Sequence, residues 1–382
     1  MIYLDYNATT PLDRRAAAAM QPFLGAFCGN PSSIHRAGRE ARAALDNARD
    51  KIAALLRAKP NEIIFTSGGT ESDNLAIVGL ARAHATRGKH LITATTEHHA
   101  VLHAFEHLQK RDGFRVTWLA VDHFGRIDLA ELTGAIGDDT TLVSIMSANN
   151  ETGTLQPVGD IARVCHERGV LFHCDMVQSF GKIPVDVRRD GPDAISISAH
   201  KFYGPPGAGT LWLRSGISIE KIHYGGSHEN ERRPGTENVA AIVGMAEAAA
   251  LAVADAAAEQ TREAELKEAL RAGLQSIFPG AIFNGHPSER LANTLSATFP
   301  GADAETLLIN LDLAGICASS GAACMVGSVL PSHVLLAMGV APELAKCTIR
   351  FSLGKQTTPN EITSTIDSMS KIFARLEPAL AE

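Results

Sequence analysis

Apolar positions along the chain alternate between helical spacing and strand spacing. From residue 37 to residue 55 they recur every three to four residues, and Asn-Pro-Ser-Ser at residues 30–33 is a helix start signal. Further helices are predicted at residues 71–82 and 160–168. Strands are predicted at residues 62–66, 90–93, 115–119, 142–146, 170–173 and 194–198. This rhythm predicts an α/β fold, in which helices cover both faces of a mostly parallel sheet.

The pattern changes after Glu237. A long alanine-rich helix is predicted from about residue 239 to residue 272, with a break, followed by a smaller α+β unit. The strands of that unit are predicted near residues 295–299, 316–319 and 348–352. We therefore predict a large domain over residues 14–250 and a small domain made of residues 1–13 and 251–382.

Composition narrows the class of protein. The 382 residues are 45% hydrophobic and 20% charged, as in ordinary soluble enzymes. A net charge of -7 and a pI near 6.1 argue against a nucleic-acid-binding surface. The first residues lack signal-peptide features, and Glu247 and Asp255 interrupt the most apolar stretch, so no membrane span is expected. Six cysteines without a CxxC pair indicate reduced thiols and a cytoplasmic location.

Lys201 follows a predicted strand whose last residues, 195–198, alternate between apolar and hydroxyl side chains. Loops after such strands are where α/β proteins place reactive groups. A lysine beside Ser198 and His200 can form a Schiff base if burial or a nearby cation lowers its pKa. The alternative is a surface lysine that caps the end of a strand.

Two further strand ends carry candidate cofactor ligands. Asp175 ends a buried strand, where a carboxylate needs a cation such as the ring nitrogen of pyridoxal phosphate. The alternative is a helix N-cap. Ser-Gly-Gly-Thr at residues 67–70 lies between a strand and a helix and suits a phosphate, although it lacks the ending of a P-loop. The alternative here is a glycine turn without a ligand.

Histidines and cysteines supply the remaining candidates for chemistry. His98 follows a strand and is placed to stack on an aromatic cofactor and move protons, unless it is an ordinary polar residue. His99 is the other candidate for this role, but because it is the next residue in the chain its side chain is expected to point in a different direction. A zinc site from Cys165, His166, His173 and Cys174 is rejected for two reasons. His173 and Cys174 are adjacent on one strand, so their side chains face opposite sides, and the spacing of the four residues matches no usual zinc pattern.

Cys324 lies in a stretch of small residues, 319–328, between a strand and a helix that begins near residue 331. An accessible thiolate there can attack sulfur, unless the residue is merely an exposed cysteine. Arg350 lies inside an apolar strand and needs an anion, which is either a protein acid or a substrate carboxylate.

Eight segments occur in an order that is specific to one group of enzymes. They are residues 3–10, 29–33, 66–74, 149–153, 200–201, 233–238, 320–324 and 350–352. Together they make the chain resemble, over essentially its whole length, a cysteine desulfurase in the class V aminotransferase group of pyridoxal phosphate enzymes. The resemblance implies a fold-type I pyridoxal phosphate-dependent transferase, in which the large domain binds the cofactor and the small domain carries a mobile cysteine loop.

The resemblance also implies roles for single residues. Lys201 would carry the Schiff base, Asp175 would pair with the pyridine nitrogen, and His98 would stack on the ring and assist proton transfer. The phosphate would be held by Gly69, Thr70, Ser198 and His200, with Thr236 reaching in from the second subunit of a homodimer. Asn150 and Gln178 would contact the ring and its phenolic oxygen, and Arg350 with Asn7 would clamp the substrate carboxylate. No metal site is implied, although Cys324 could transiently contact a nascent iron–sulfur cluster.

The implied reaction removes sulfur from L-cysteine, leaving L-alanine and a persulfide on Cys324. A sulfur-acceptor or scaffold protein, or a thiol, would take that sulfur for iron–sulfur cluster assembly or transfer RNA thiolation, with no direct nucleic-acid or membrane partner. One alternative is a selenocysteine lyase or another class V aminotransferase-like enzyme. A non-catalytic sulfur-relay scaffold is a weaker alternative, because Lys201, Asp175, His98 and Cys324 are all retained.

The chain departs from the family pattern at two places. Residues 204–207 read Gly-Pro-Pro-Gly where the family commonly has Gly-Pro-Lys-Gly, so Pro206 removes a positive charge near the site. Residues 322–326 read Ala-Ala-Cys-Met-Val where Ser-Ala-Cys-Thr-Ser is usual. Fewer hydroxyls around Cys324 are expected to alter persulfide stability or the choice of partner.

Overall fold

The computed structural model of the chain describes residues 1–189, 191–320 and 331–380. Its strands are β1 Ile2–Tyr3, β2 Ile63–Thr66, β3 His90–Ala94, β4 Arg115–Leu119, β5 Thr140–Ser144, β6 Leu171–Asp175, β7 Ala194–Ser198, β8 Gly209–Leu213, β9 Ile282–Asn284, β10 Thr294–Thr298, β11 Ile316–Cys317 and β12 Thr348–Ser352. Its α-helices are α1 Arg14–Met20, α2 Arg36–Leu56, α3 Gly69–Ala83, α4 His99–Arg111, α5 Leu129–Ala135, α6 Val158–Glu167, α7 Val239–Ile277, α8 Ala304–Leu313, α9 His333–Ala337, α10 Pro342–Ala345 and α11 Pro359–Leu380.

The largest sheet has seven strands in the order β2-β8-β7-β6-β5-β3-β4. The five strands from β7 to β4 pair in parallel, and β8 is antiparallel to both of its neighbours. The predicted α/β fold with a mostly parallel sheet is confirmed. The sequence did not predict β8, because its five residues follow a glycine- and proline-rich stretch whose turn signals hide a short strand.

The central strands are buried along nearly all of their length, which explains their continuous runs of apolar and small polar residues. Because these strands run in parallel, their carboxyl ends meet at one edge of the sheet. Asp175 ends β6, and Lys201 and His98 come three or four residues after the ends of β7 and β3. The topology thus collects three of the candidate residues at one edge, where open α/β sheets bind ligands.

Helices cover both faces of this sheet. On one face, α3 and α4 bury Leu75 and Phe105 against Leu211 of β8. On the other face, α2 and α7 bury Ile52 and Met245 against Trp212 of the same strand. Neighbouring residues of β8 therefore point into opposite cores, as the pleat of a strand requires.

Helix α7 is continuous over 39 residues, so the predicted break is wrong. Its first half is rich in alanine, a strong helix former whose small side chain permits close packing on α1 and α2. By length and apolar composition α7 is able to cross a membrane, and 56% of its most apolar stretch is buried within the fold. Its second half buries Leu266, Leu270 and Leu274 in a different core.

That second core belongs to a smaller α+β unit. A three-stranded antiparallel sheet, β12-β10-β9, packs Phe299 and Phe351 against Phe373 of α11. The N-terminus joins this unit, because β1 pairs in parallel with β11 and Leu4 is buried in the same core. Since α7 runs unbroken past residue 250, the domain boundaries at residues 13 and 250 remain a prediction.

The start of β8 is pressed against the loop that follows β2. A Cβ added to Gly209 would lie 2.5 Å from the Cα of Gly68, which is backbone. We predict that Gly209→Ala lowers the free energy of unfolding by about 2 kcal/mol, because neither backbone can move without loosening the β2–β8 pairing. Urea denaturation measures this change.

Gly134→Ala is the matched control, because a Cβ at this exposed position in α5 meets nothing within 4 Å. It should leave stability unchanged or raise it by up to about 1 kcal/mol. Equal stability of the two variants would contradict the packing described for Gly209.

Candidate active site

A cavity of about 380 Å³ lies at the carboxyl edge of the large sheet. Eleven residues singled out from the sequence line it: Asn7, Gly69, Thr70, His98, Asn150, Asp175, Gln178, Ser198, His200, Lys201 and Arg350. Thr236 is exposed and lines a separate cavity with Thr70 and Arg233. Cys324 lies outside the described residues. The structure thus brings together the candidates from both ends of the chain.

Lys201 reaches the cavity because a single 3-10 turn, Ala199–Lys201, follows β7. Its Nζ donates hydrogen bonds to the backbone carbonyl oxygens of Asn7 at 2.6 Å and Ala8 at 2.7 Å. The side chain is half-buried and ordered by the N-terminal segment. An exposed lysine that merely caps a strand does not fit this position.

Asp175 lines the same cavity and is almost fully buried. Burial raises the pKa of its carboxyl to about 6, and two effects oppose that rise. One is the backbone N–H of Val177, which donates to Oδ1 at 2.8 Å, and the other is the positive charge of Lys201. A second cation placed in the cavity would favour the ionised carboxylate further.

The start of α3 forms a cradle for an anion. The first N–H groups of a helix have no acceptor within the helix and carry its positive dipole end. Thr70, Ser198 and His200 line the cavity beside this helix start. A Cβ at Gly69 would lie 2.7 Å from Cγ2 of Val177, so glycine permits the close packing of this turn. Free N–H groups with hydroxyls alongside suit a phosphate.

His98 is the N-cap of α4, and its Nδ1 accepts a hydrogen bond from the N–H of Ala100 at 3.1 Å. This bond assigns the ring proton to Nε2. Burial, followed by the positive charge of Lys201, lowers the pKa of the imidazole to about 4. The competing His99 does not line the cavity, and its ring centroid lies 4.7 Å from that of His333.

Arg350 presents its guanidinium to the cavity from β12. Its Nη1 donates to the carbonyl oxygen of Asn150 at 3.0 Å, and its Nη2 pairs with Asp5 at 2.8 Å. Its Nε is buried and has no hydrogen-bond partner in the described part of the chain. The sequence left open whether the anionic partner of Arg350 is a protein acid or a substrate. Asp5 is one such partner, and the Nε donor of Arg350 stays available.

Asn7 links the two cores through the site. Its side-chain amide donates to the carbonyl oxygen of Asn150 and to Oγ1 of Thr294, at 3.1 and 2.9 Å. Its backbone carbonyl accepts hydrogen bonds from Gln178 and Lys201. Because both amide donors are engaged, Asn7 has no free donor for a substrate in this arrangement.

Both described flanks of residues 321–330 are hydrogen-bonded to residues in or next to the cavity lining. Ser319 forms a two-bond antiparallel bridge with Arg350, with N···O distances of 2.6 and 3.2 Å. On the other side, Ser332 donates to the buried carboxylate of Glu151, and Nε2 of His333 bonds the carbonyl oxygen of Glu97. The described residues on the two sides of the segment that contains Cys324 are thus bonded to Arg350 and to Glu97, the neighbour of His98.

Sequence reasoning missed two titratable residues at the site. Asp73 lies in the first turns of α3 and is buried against the cavity, although its local sequence is typical of an exposed helix start. Lys182 donates to Oε1 of Gln178 at 3.2 Å and lines a neighbouring cavity of about 400 Å³ that Lys201 also lines. Burial lowers the pKa of Lys182 to about 8, opposed by the charge of Glu263. The spacing of residues along the chain does not predict the burial of Asp73 against the cavity or the position of Lys182 beside the site.

The fold and the site together define a class. A mostly parallel sheet with a lysine, an aspartate and an anion cradle at its carboxyl edge is the arrangement of a fold-type I pyridoxal phosphate-dependent enzyme. A model of the aminotransferase class-V family matches residues 2–364 of the chain. The chain therefore belongs to the aminotransferase class-V family.

Individual relatives agree with this assignment. A cysteine desulfurase IscS of Dictyoglomus turgidum is 47% identical over 375 residues, which are 98% of this chain and 95% of the relative. A cysteine desulfurase IscS of Methanosarcina thermophila is 44% identical over 98% of this chain and 92% of its own. A solved NifS-like protein from Rickettsia africae superposes with a TM-score of 0.88 at 34% identity, over 98% of this chain and 99% of its own. The resemblance inferred from the eight segments is confirmed.

The low pKa of His98 predicts a distinctive titration. In the cofactor-free protein, we expect the ring to stay neutral until the pH falls to about 4. Because the folded pKa lies below the ordinary value near 6.5, the unfolded chain binds this proton more tightly, so the stability that neutral His98 contributes is lost as the pH falls from about 6.5 to about 4.

Proton–nitrogen NMR measures this titration, and the His98→Asn variant, which keeps an N-cap side chain, assigns the signal. A midpoint at 6.5 or above would contradict the burial and charge arrangement described for this ring.

Proposed function

We propose that this protein is a pyridoxal phosphate-dependent cysteine desulfurase, which converts L-cysteine to L-alanine and leaves a persulfide on Cys324. One observation carries the proposal. Beside the cavity that gathers Lys201, Asp175 and Arg350, one flank of the segment containing Cys324 is bonded to Arg350 and the other to Glu97, the neighbour of His98. The names of the relatives support the same activity.

The residues present fit the cofactor. Asp175 is a buried carboxyl in need of a cation, and the start of α3 with Ser198 and His200 offers donors for a phosphate. Lys201 would hold the cofactor covalently, and Gln178 and Asn150 would contact its ring. Bound there, the cofactor would withdraw electrons from the α-carbon of the substrate, which is the activation that C–S cleavage requires.

The substrate carboxylate is assigned to Arg350. Its unpartnered Nε gives the guanidinium a free donor, and exchange of Asp5 for the incoming carboxylate would give a two-bond fork. Asn7 orients this region through Asn150 rather than by a free amide. Ser319, on one flank of the segment that contains Cys324, is bonded to the backbone of the same arginine.

Proton transfer is assigned to Lys201 and His98. Neutral His98 shares the cavity with Lys201 and carries its ring proton on Nε2, which it can donate to a hydrogen-bond acceptor in the cavity. The Nζ of Lys201 would be the base placed to remove the α-proton of the substrate. The two carbonyl groups that bond Nζ keep the amine directed at the cavity.

Cys324 is assigned to sulfur transfer. Its thiolate attacks the sulfur of the substrate, an S–S bond forms, and the C–S bond breaks with its electron pair remaining on carbon. Protonation of that carbon gives alanine. Five residues of chain span at most about 17 Å, so the covalent tether limits the distance between Cys324 and Ser319.

The wider setting follows from the same proposal. We assign the protein to the cytoplasm and to a homodimer, in which Thr236 completes the phosphate site of the partner subunit. Exposed Thr236 and Tyr224, which line one surface cavity, support such an interface. The acceptor is a protein or thiol that serves iron–sulfur cluster assembly or transfer RNA thiolation.

Sulfur transfer is tested by giving the cofactor-loaded protein L-cysteine without a reductant. We expect mass spectrometry to find one added sulfur atom on the Cys324 peptide and an equal amount of alanine. The Cys324→Ser variant should form alanine more slowly by about a hundredfold, because the sulfur has no thiolate to attack it.

Cys28→Ser is the matched control, because Cys28 is an exposed cysteine and lines none of the cavities described above. It should behave as the unaltered protein. Sulfur on Cys28 in place of Cys324, or full activity of Cys324→Ser, would overturn the assignment.

A further inference from the structure

Asp73 is a buried carboxyl directly behind the candidate site. It lies in α3, is 1% exposed and lines the same cavity as Asp175. Its Oδ1 is buried without a hydrogen-bond partner in the described part of the chain. An ionised carboxylate in such a place costs several kcal/mol unless a cation or several donors face it.

One side chain that could carry a positive charge close to Asp73 is His173, whose Nε2 lies 3.7 Å from Oδ1 of Asp73. Both ring nitrogens already face hydroxyl groups, Nδ1 toward Ser144 at 2.8 Å and Nε2 toward Ser196 at 2.9 Å. Burial lowers the pKa of His173 to about 3, so the ring is neutral. His173 therefore supplies no charge to Asp73.

The other titratable groups that act on Asp73 are acids. Asp175 of β6 and Glu97, which follows β3, both raise the pKa of its carboxyl, after burial itself. Glu97 is also buried, accepts a bond from the N–H of Met146, and has a raised pKa. Lys201 acts on Asp175, which also has the N–H of Val177. The hydrogen bond with Ser196 favours an ionised Asp73, whereas Asp175 has both the N–H of Val177 and the positive charge of Lys201.

Two adjacent buried carboxyls do not both ionise, and the better-supported one keeps the charge. We propose that Asp73 is a positioning residue that stays protonated, so that the single negative charge of the pair resides on Asp175. This inference rests on the proposed role of Asp175 toward the pyridine nitrogen. An ionised Asp73 would repel the negative charge of Asp175 and favour protonation of Asp175. A protonated Asp175 would pair less well with the pyridine nitrogen.

The proposal fixes the direction of a buried hydrogen-bond chain. A hydrogen bond with Ser196 acts on the Asp73 carboxyl and lowers its pKa. The hydroxyl of Ser196 also meets Nε2 of His173, and Nδ1 of His173 meets Ser144. Protonated Asp73 donates to Ser196, Ser196 donates to Nε2, and the imidazole proton lies on Nδ1. Ionised Asp73 would reverse each bond and move the imidazole proton to Nε2. The tautomer of His173 therefore reports the charge of Asp73.

The first test uses the cofactor-free protein at neutral pH. We expect the infrared difference between the unaltered protein and Asp73→Asn to contain the carbonyl stretch of a protonated carboxylic acid. Asp193→Asn is the matched control, because Asp193 is buried but pairs with Arg214 and accepts from the N–H of Phe172. Its difference spectrum should contain carboxylate bands instead.

If Asp73→Asn fails to fold, nitrogen-15 NMR of the unaltered protein decides by locating the His173 proton on Nδ1. Carboxylate bands in the infrared difference spectrum of Asp73→Asn, or a proton on Nε2 of His173, overturn the proposal even if the cofactor binds normally. Failure of the unaltered protein to bind pyridoxal phosphate would instead count against the proposed function, and the infrared result would still stand.

A second test measures binding of pyridoxal phosphate by equilibrium titration. Asp73→Ala removes the donor to Ser196 and should weaken binding by about tenfold, whereas Asp73→Asn, which is neutral and of the same shape, should recover most of that loss. An Asp73→Asn variant as weak as Asp73→Ala would show that the residue acts through a negative charge, which contradicts the proposal.

Discussion

A carboxylate buried at the edge of the sheet is the constraint on which the site depends. Asp175 ends β6 almost without solvent contact, and a charge in that position is unfavourable by several kcal/mol unless it is paired. The positive charge that acts on it comes from Lys201, which is itself placed by the end of the neighbouring strand β7. The parallel pairing of these two strands therefore sets the distance between acid and lysine before any ligand binds.

Lys201 depends in turn on the N-terminal segment. Its ammonium is bonded to the carbonyl groups of Asn7 and Ala8, and Asn7 also bonds Gln178, Asn150 and Thr294. The N-terminal segment thus lies between the large sheet and the smaller unit, with Leu4 buried in the core of the latter. The cavity exists at the contact of two cores because one short segment is bonded to both.

The sequence predicted those features that a local pattern encodes. Strand ends followed by Asp175, Lys201 and His98 were recognisable, because parallel strands place such residues at one edge. The β8 strand, the unbroken course of α7 and the burial of Asp73 were not, since each depends on what packs against the element rather than on its own residues. The pairing of Arg350 with Asp5 joins positions 345 residues apart, which no spacing rule can anticipate.

Lys182 makes the central assignment testable, because it is a second half-buried lysine near the site, and its lowered pKa favours reaction with an aldehyde. Lys182 faces the neighbouring cavity and bonds Gln178, whereas Lys201 shares its cavity with Asp175 and the anion cradle. The most direct measurement is borohydride reduction of the protein loaded with pyridoxal phosphate, followed by peptide mapping. Attachment of the cofactor to Lys201 is the expected result, and attachment to Lys182 would contradict the site described.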